Sequence, residues 1–319
     1  MKQAGAKNIV LTIWYDNLFG CTNKCRFCNL STPMVDSMDW ENEALFEFLT
    51  RRHEEIRLIK FMGQEPYRQD EMLKTIAKLR EIGFKKSIIN LTSIGSSIYH
   101  DLMDEIGYMT LSFSGYPPEY YGFKSKQHPY KKNIVTIIEK YHDKIDKVNW
   151  IIWKFNFHKI DTDIEDFLQS IDFRKLKFSF LLQKGDIYTK EDVILFAEKV
   201  QKIKHIFEKY ELEVFEKVYT FYDTEYRHEN DLLENTEITY CYNRQKSKKW
   251  YRCTWEIPGE HQLEDPEGYL KWEYANNCTK TCAWEKFSTS PQLMHLFYQK
   301  LMLKHLRQME DLVKKHTSN

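Results

Sequence analysis

Residues 20–30 read GCTNKCRFCNL and place Cys21, Cys25 and Cys28 within a single short loop. Thiolates are soft metal ligands, and clustered cysteines in a reducing compartment serve metal or redox chemistry more often than disulfides. Zinc knuckles usually open on C-x2-C and recover two more ligands further along the chain. Here the spacing is C-x3-C-x2-C. An iron–sulfur cluster held by only three thiolates leaves one iron with open coordination, which suits a site that must grip a second ligand as well as carry an electron. Cys241, Cys253, Cys278 and Cys282 form a second group spaced C-x11-C-x24-C-x3-C, and no cysteine lies between 29 and 240. Thiols are confined to two places, as expected if each builds a site. The total of seven is odd, and three of them stand too close together for a disulfide framework.

The rest of the composition narrows the setting. A chain of 319 residues with 42% hydrophobic content is long enough for one large domain, or one domain with an appendage. Its formal net charge of zero gives no global field toward nucleic acid or an anionic membrane. The basic run RQKSKKWYR at 244–252 reads as a solvated loop, so no nucleic-acid partner is expected. There is no apolar run of about eighteen residues and no secretory block at the N-terminus, which predicts a cytoplasmic protein with no membrane partner.

The cysteines need elements to position them. NIVLTIWY (8–15) reads as a buried strand leading straight into the first cysteine loop. A helix over 39–55 and a strand over 56–62 follow, then a helix over 69–84, a strand over 87–95, a helix over 96–107 and a strand over 108–115. The alternation continues with a helix from 133, a strand over 148–156, a short helix, a strand over 176–183 and a long helix over 190–210. Six strands alternating with helices predict parallel βα units with right-handed crossovers. The expected fold is α/β: an open, partial (β/α)6 barrel resembling a TIM barrel, with function at the C-terminal strand ends. The pattern breaks near 222 into a polar, Tyr-rich tract ending in a helix over 291–316. The division is therefore a core over 1–222 and a small cysteine-rich extension over 223–319.

The loop C-T-N-K-C-R-F-C, with Phe27 before the third cysteine and a strand before the first, resembles the signature of the radical S-adenosylmethionine (radical SAM) superfamily. Two further segments extend the resemblance. Gly63, Gln64, Glu65 and Pro66 after the second strand resemble the family's G-G-E-P motif, with Gln64 in place of the second glycine. Ser112 and Ser114 in LSFSG resemble its S-x-D-G segment, Ser114 standing where the family has aspartate, and TSIG (92–95) resembles its T-N-G turn. The resemblance implies that Cys21, Cys25 and Cys28 hold a 4Fe-4S cluster whose fourth iron chelates S-adenosylmethionine. It implies further that the 63–66 segment binds the methionyl amino group and that Ser112 and Ser114 contact the rest of the cofactor. A 5′-deoxyadenosyl radical would then abstract a substrate hydrogen, with a separate electron donor such as flavodoxin or ferredoxin.

The stretch from Cys253 to Cys278 resembles the auxiliary-cluster extension called SPASM or twitch, although its spacing departs from the usual SPASM pattern. A single-cluster, twitch-like version is the better match, which implies a second 4Fe-4S cluster on Cys241, Cys253, Cys278 and Cys282. Zinc on four thiolates is the metal alternative. His228, Asp223, Glu225 and Glu229 lie in the preceding linker, where one could act as a base or all could be solvated.

The first functional expectation is an oxidoreductase that modifies a peptide or protein side chain. The chain begins almost directly at the first strand, so peptide recognition would come from its last hundred residues or from another protein. A twitch-type dehydrogenase acting on a sugar or aminocyclitol, a glycyl-radical activase and a non-catalytic zinc-binding interaction protein are the alternatives.

Overall fold

The computed structural model describes residues 9–15, 21, 23–28, 43–63, 65–66, 69–123, 127–153, 155–172, 176, 178–182, 190–210, 236–242 and 248–251. Gln64, Cys253, Cys278, Cys282, the 222–230 linker and the helix expected over 291–316 lie outside the described residues.

β-Branched and aromatic runs give β1 (Ile9–Tyr15), β2 (Ile56–Gly63), β3 (Ile89–Ser93), β4 (Tyr108–Phe113), β5 (Ile145–Ile152) and β6 (Phe178–Leu182). Between them run α1 (Glu43–Arg51), α2 (Gln69–Ile82), α3 (His100–Glu105), α4 (Tyr130–Tyr141) and α5 (Ile160–Gln169), with α6 (Lys190–Lys209) after β6. Every pairing from β1 to β6 is parallel and joins strands consecutive in sequence. Residues Ile9 to Ile13 are all buried, so both faces of β1 are covered, as a parallel sheet flanked by crossover helices requires. The helices supply the covering faces at helical spacing: Met72, Thr75, Ile76 and Leu79 on α2, and Ile134, Ile137, Ile138 and Tyr141 on α4. Asp161 on α5, itself buried, ties that helix to α6 through Lys199 at 2.7 Å.

Two expectations change. The sheet has eight strands, in the order β6-β5-β4-β3-β2-β1-β7-β8, because β7 (Thr236–Tyr242) and β8 (Lys248–Tyr251) extend it beyond β1. β7 lies parallel to β1, and β8 returns antiparallel beside β7. Part of the basic run read as a solvated loop is therefore strand, consistent with the β preference of Trp250 and Tyr251. The helix expected over 96–107 contracts to α3, because the residues before it form a turn around a buried carboxylate. Among the described residues, no helix is long and apolar enough to cross a membrane.

Candidate active site

All strands from β1 to β7 end on one side of the sheet, and the residues singled out by chemistry gather there. β1 delivers the chain toward Cys21. The Arg26 amide donates to the Tyr120 carbonyl at 2.9 Å, and the Cys25 Sγ lies 3.7 Å from the Tyr121 carbonyl. The Cys28 amide donates to the Cys25 carbonyl at 3.0 Å, closing a turn. Phe27 is buried between Tyr121 and Trp153, edge-on to both at 5.4 and 6.2 Å between ring centroids. The β4–α4 loop is therefore the seat of the cysteine loop. Its Gly122 is at φ +64, and a Cβ there would stand 2.6 Å from the Lys24 carbonyl oxygen.

β2 ends at Gly63, which is at φ +123, and Glu65 and Pro66 follow, both buried. The Glu65 carboxylate is 5% exposed and accepts five hydrogen bonds. Ser93 Oγ, Ser96 Oγ and Tyr99 Oη donate to its Oε1 at 2.7, 2.9 and 2.6 Å, and the Ser96 amide does so at 3.3 Å. The Ile94 amide donates to Oε2 at 2.8 Å. No Lys or Arg pairs with Glu65 among the described residues. The TSIG turn thus wraps the carboxylate, and α4 braces it from behind: Tyr130 Oη donates to the Ile94 carbonyl and Asn133 Nδ2 to the Ser96 carbonyl, both at 2.7 Å.

Glu65 also meets the cysteines. Its backbone amide points at the Cys21 sulfur and favours the thiolate, but burial outweighs this and pushes the Cys21 thiol above its ordinary value. Burial raises Cys25 further, with the neighbouring thiolates Cys28 and Cys21 and the Glu65 carboxylate adding to the effect. Unpaired, the Cys21 and Cys25 thiols are thus held toward their neutral form, and nearby positive charge would favour their thiolates. No three His, Cys, Asp or Glu side chains among the described residues converge as they would on a single ion.

The two serines of LSFSG occupy different surroundings. Ser112 is half-buried on β4. Ser114 is fully buried and its Oγ donates to the Ile151 carbonyl at 3.0 Å, so its hydroxyl joins β4 to β5. Asn156, which the sequence reading took for the end of a strand, is a clamp beyond it. Its side chain accepts from the Trp153 amide at 2.8 Å and donates to the Ile151 and Ser114 carbonyls at 2.9 and 3.3 Å. Cys241 is the member of the second cysteine group within the described residues. On β7 it is in register with Trp14, which is in register with Met62 on β2. Adjacent strands stand about 4.8 Å apart, so the Cys241 backbone lies two strands, roughly 10 Å, from the end of β2.

Sequence reasoning did not find Asp163 on α5. Its Oδ2 is buried without a hydrogen-bond partner among the described residues, 3.2 Å from where a Cβ on Gly115 would lie. Burial pushes this carboxyl up to about 6, against the opposing pull of Lys159. The folded protein therefore disfavours the ionised form, and the stability Asp163 contributes is present below its ordinary 3.8 and lost as pH rises through about 6. Asp163→Asn is expected to stabilise the protein at neutral pH by about 1 kcal/mol, allowing for solvent screening of a partly exposed group. Thermal melts of both proteins between about pH 5 and about pH 7.5 check this: the gap should widen toward neutrality, and a constant gap would contradict it.

Comparison with known proteins adds the fold. No family model matches the chain, and no curated protein matches it. Among solved structures, it is similar to native anSMEcpe with bound AdoMet, at a TM-score of 0.57 and 13% identity over 96% of this chain and 99% of that one. A second structure of anSMEcpe, with AdoMet and the Cp18Cys peptide, gives a TM-score of 0.55 at 12% identity over the same shares of the two chains. Streptococcus suis SuiB bound to S-adenosylmethionine gives 0.50 at 14% identity, over 93% of this chain and 67% of that one. These neighbours are radical SAM enzymes. The parallel α/β sheet described above is the fold this chain shares with them.

Proposed function

We propose that this protein is a radical SAM enzyme in which Cys21, Cys25 and Cys28 hold a 4Fe-4S cluster and S-adenosylmethionine binds beside it. The observation that carries the reading is the seating of a three-thiol loop against a buried carboxylate that, among the described residues, has five neutral donors and no cationic partner. Such an anion is half of an ion pair, and a ligand bearing an ammonium group would complete it. Gly63, Gln64, Glu65 and Pro66 form the cofactor's amino-group site in this reading. Ser112 faces the remainder of the cofactor, and Ser114 acts through its place in the β4–β5 junction. When bound, the cluster and cofactor together supply a 5′-deoxyadenosyl radical for hydrogen abstraction. The chain's own task is to orient the two, to hold the strand ends through Asn156 and Ser114, and to bring substrate to the C-terminal face.

The strands β1 to β6 are read as the open (β/α)6 core over 1–222, with β7 and β8 of the extension added to the edge of its sheet beside β1. Residues 223–319 form a twitch-like extension whose Cys241, Cys253, Cys278 and Cys282 bind a second 4Fe-4S cluster. The register of Cys241 beside β1 supports an acceptor near the first site. A peptide or protein side chain is the proposed substrate, supported by the likeness to a peptide-bound anSMEcpe structure. A separate cytoplasmic electron donor completes the system.

Anaerobic reconstitution followed by iron counting tests the two-site reading. About eight irons per chain are expected in the wild type, falling to about four when Cys21, Cys25 and Cys28 are all replaced by Ala. About four irons falling to none would remove the second cluster and the oxidative role that depends on it.

A further inference from the structure

Tyr99 has the single positive φ among the described non-glycine residues, at φ 53 and ψ 46. A left-handed backbone costs a side-chain-bearing residue about 1 kcal/mol or more, and such outliers persist where the surroundings over-determine them. The conformation comes immediately before α3, and Tyr99 is 3% exposed. Its Oη reaches Glu65 Oε1 at 2.6 Å and Ser96 Oγ at 2.8 Å. A glycine would adopt this backbone without strain but could not supply the hydroxyl.

The distribution of donors on the carboxylate is uneven. Oε1 takes Ser93 Oγ, Ser96 Oγ, the Ser96 amide and Tyr99 Oη, whereas Oε2 takes the Ile94 amide. A carboxylate oxygen offers about two lone-pair sites, so Oε1 is fully engaged by the protein and Oε2 keeps acceptor capacity. We propose that Tyr99 is a positioning residue: with Ser93 and Ser96 it fixes the Glu65 carboxylate so that Oε2 is the oxygen left for the ammonium group of the bound cofactor. The inference rests on the cofactor reading above and adds to it the residue that sets the carboxylate's orientation. Removing the Tyr99 hydroxyl leaves Ser93 and Ser96 on Oε1 but takes away its shortest contact, so the carboxylate is held less tightly in the orientation that keeps Oε2 open.

Equilibrium dialysis of S-adenosylmethionine against reconstituted Tyr99→Phe and wild-type protein tests this. The variant should bind about tenfold more weakly, as expected for a lost charge-assisted hydrogen bond. Its iron content should be unchanged, and in cleavage assays the loss should fall on KM, with kcat within about twofold. Ser96→Ala, which removes a second donor to Oε1, should weaken binding about threefold and carries the same expectation should Tyr99→Phe fail to fold. A Tyr99→Phe protein with a lowered Tm but wild-type affinity would overturn the positioning role and leave Tyr99 as a packing residue. A cluster-loaded wild type that binds no S-adenosylmethionine would overturn the cofactor reading, and this inference with it.

Discussion

Gly122→Ala is expected to strip most of the iron from the three-cysteine loop while leaving iron held by the later cysteines in place. Two effects act together at this position. The backbone is at φ +64, where a side chain costs about 1 kcal/mol or more. The new methyl group would also stand 2.6 Å from the Lys24 carbonyl oxygen and 2.8 Å from its Cβ. A carbonyl between two peptide planes cannot swing aside as a side-chain tip can, so the cysteine loop itself must shift. That loop is held here by the bond from the Arg26 amide to Tyr120 and by the approach of Cys25 to the Tyr121 carbonyl. Overpacking of this kind costs about 1–3 kcal/mol, enough to lower the iron at this site to less than about a third of wild type. Gly83→Ala separates the causes. Gly83 is at φ +114, but among the described residues its Cβ would meet only His53, at 3.8 Å. It should lose stability and keep its iron, and equal iron loss in both variants would show that general destabilisation is responsible.

The second large effect belongs to Glu65→Ala. Truncation removes the acceptor for three buried hydroxyls and two backbone amides at once. Leaving buried donors unsatisfied costs about 1–3 kcal/mol each where water cannot enter, so partial relaxation leaves an expected loss of about 3–5 kcal/mol. For a domain of this size that is a fall in Tm of about 10 °C. Glu65→Gln retains one acceptor but turns an NH2 group toward donors, and should lie between Ala and wild type. A Glu65→Ala protein melting within a degree or two of wild type would mean that the donors around Glu65 are satisfied by water instead.

What the sequence could show follows from the range of each interaction. The first six strands were legible because runs such as IVLTIWY and FSFLL are dense in β-branched, aromatic and other apolar residues. The cysteine loop was legible from spacing, and Glu65 from its place after β2. Tyr99 was not: SSIYHDLMDEIG has helical periodicity, and the turn that displaces the first part of that helix is set by a carboxylate 34 positions earlier. Asn156 was absorbed into a strand for a similar reason, since its partners are backbone groups on two neighbouring strand ends. TEITYCY has a strand-like composition, but its partner is β1, at the other end of the chain, and only the folded sheet reveals that pairing. Asp163 lies on a helix that the periodicity predicts, yet its opposition to Gly115 depends on how α5 packs over the end of β4.

Anaerobic incubation of reconstituted protein with S-adenosylmethionine and dithionite, followed by chromatography for 5′-deoxyadenosine, tests most directly whether this site cleaves the cofactor. Wild-type protein should accumulate the product with time. Cys28→Ala, which alters an exposed cysteine and leaves the buried core untouched, should form none. A wild-type preparation carrying its full cluster that yields no 5′-deoxyadenosine would contradict the assignment of Cys21, Cys25, Cys28 and Glu65 to S-adenosylmethionine chemistry.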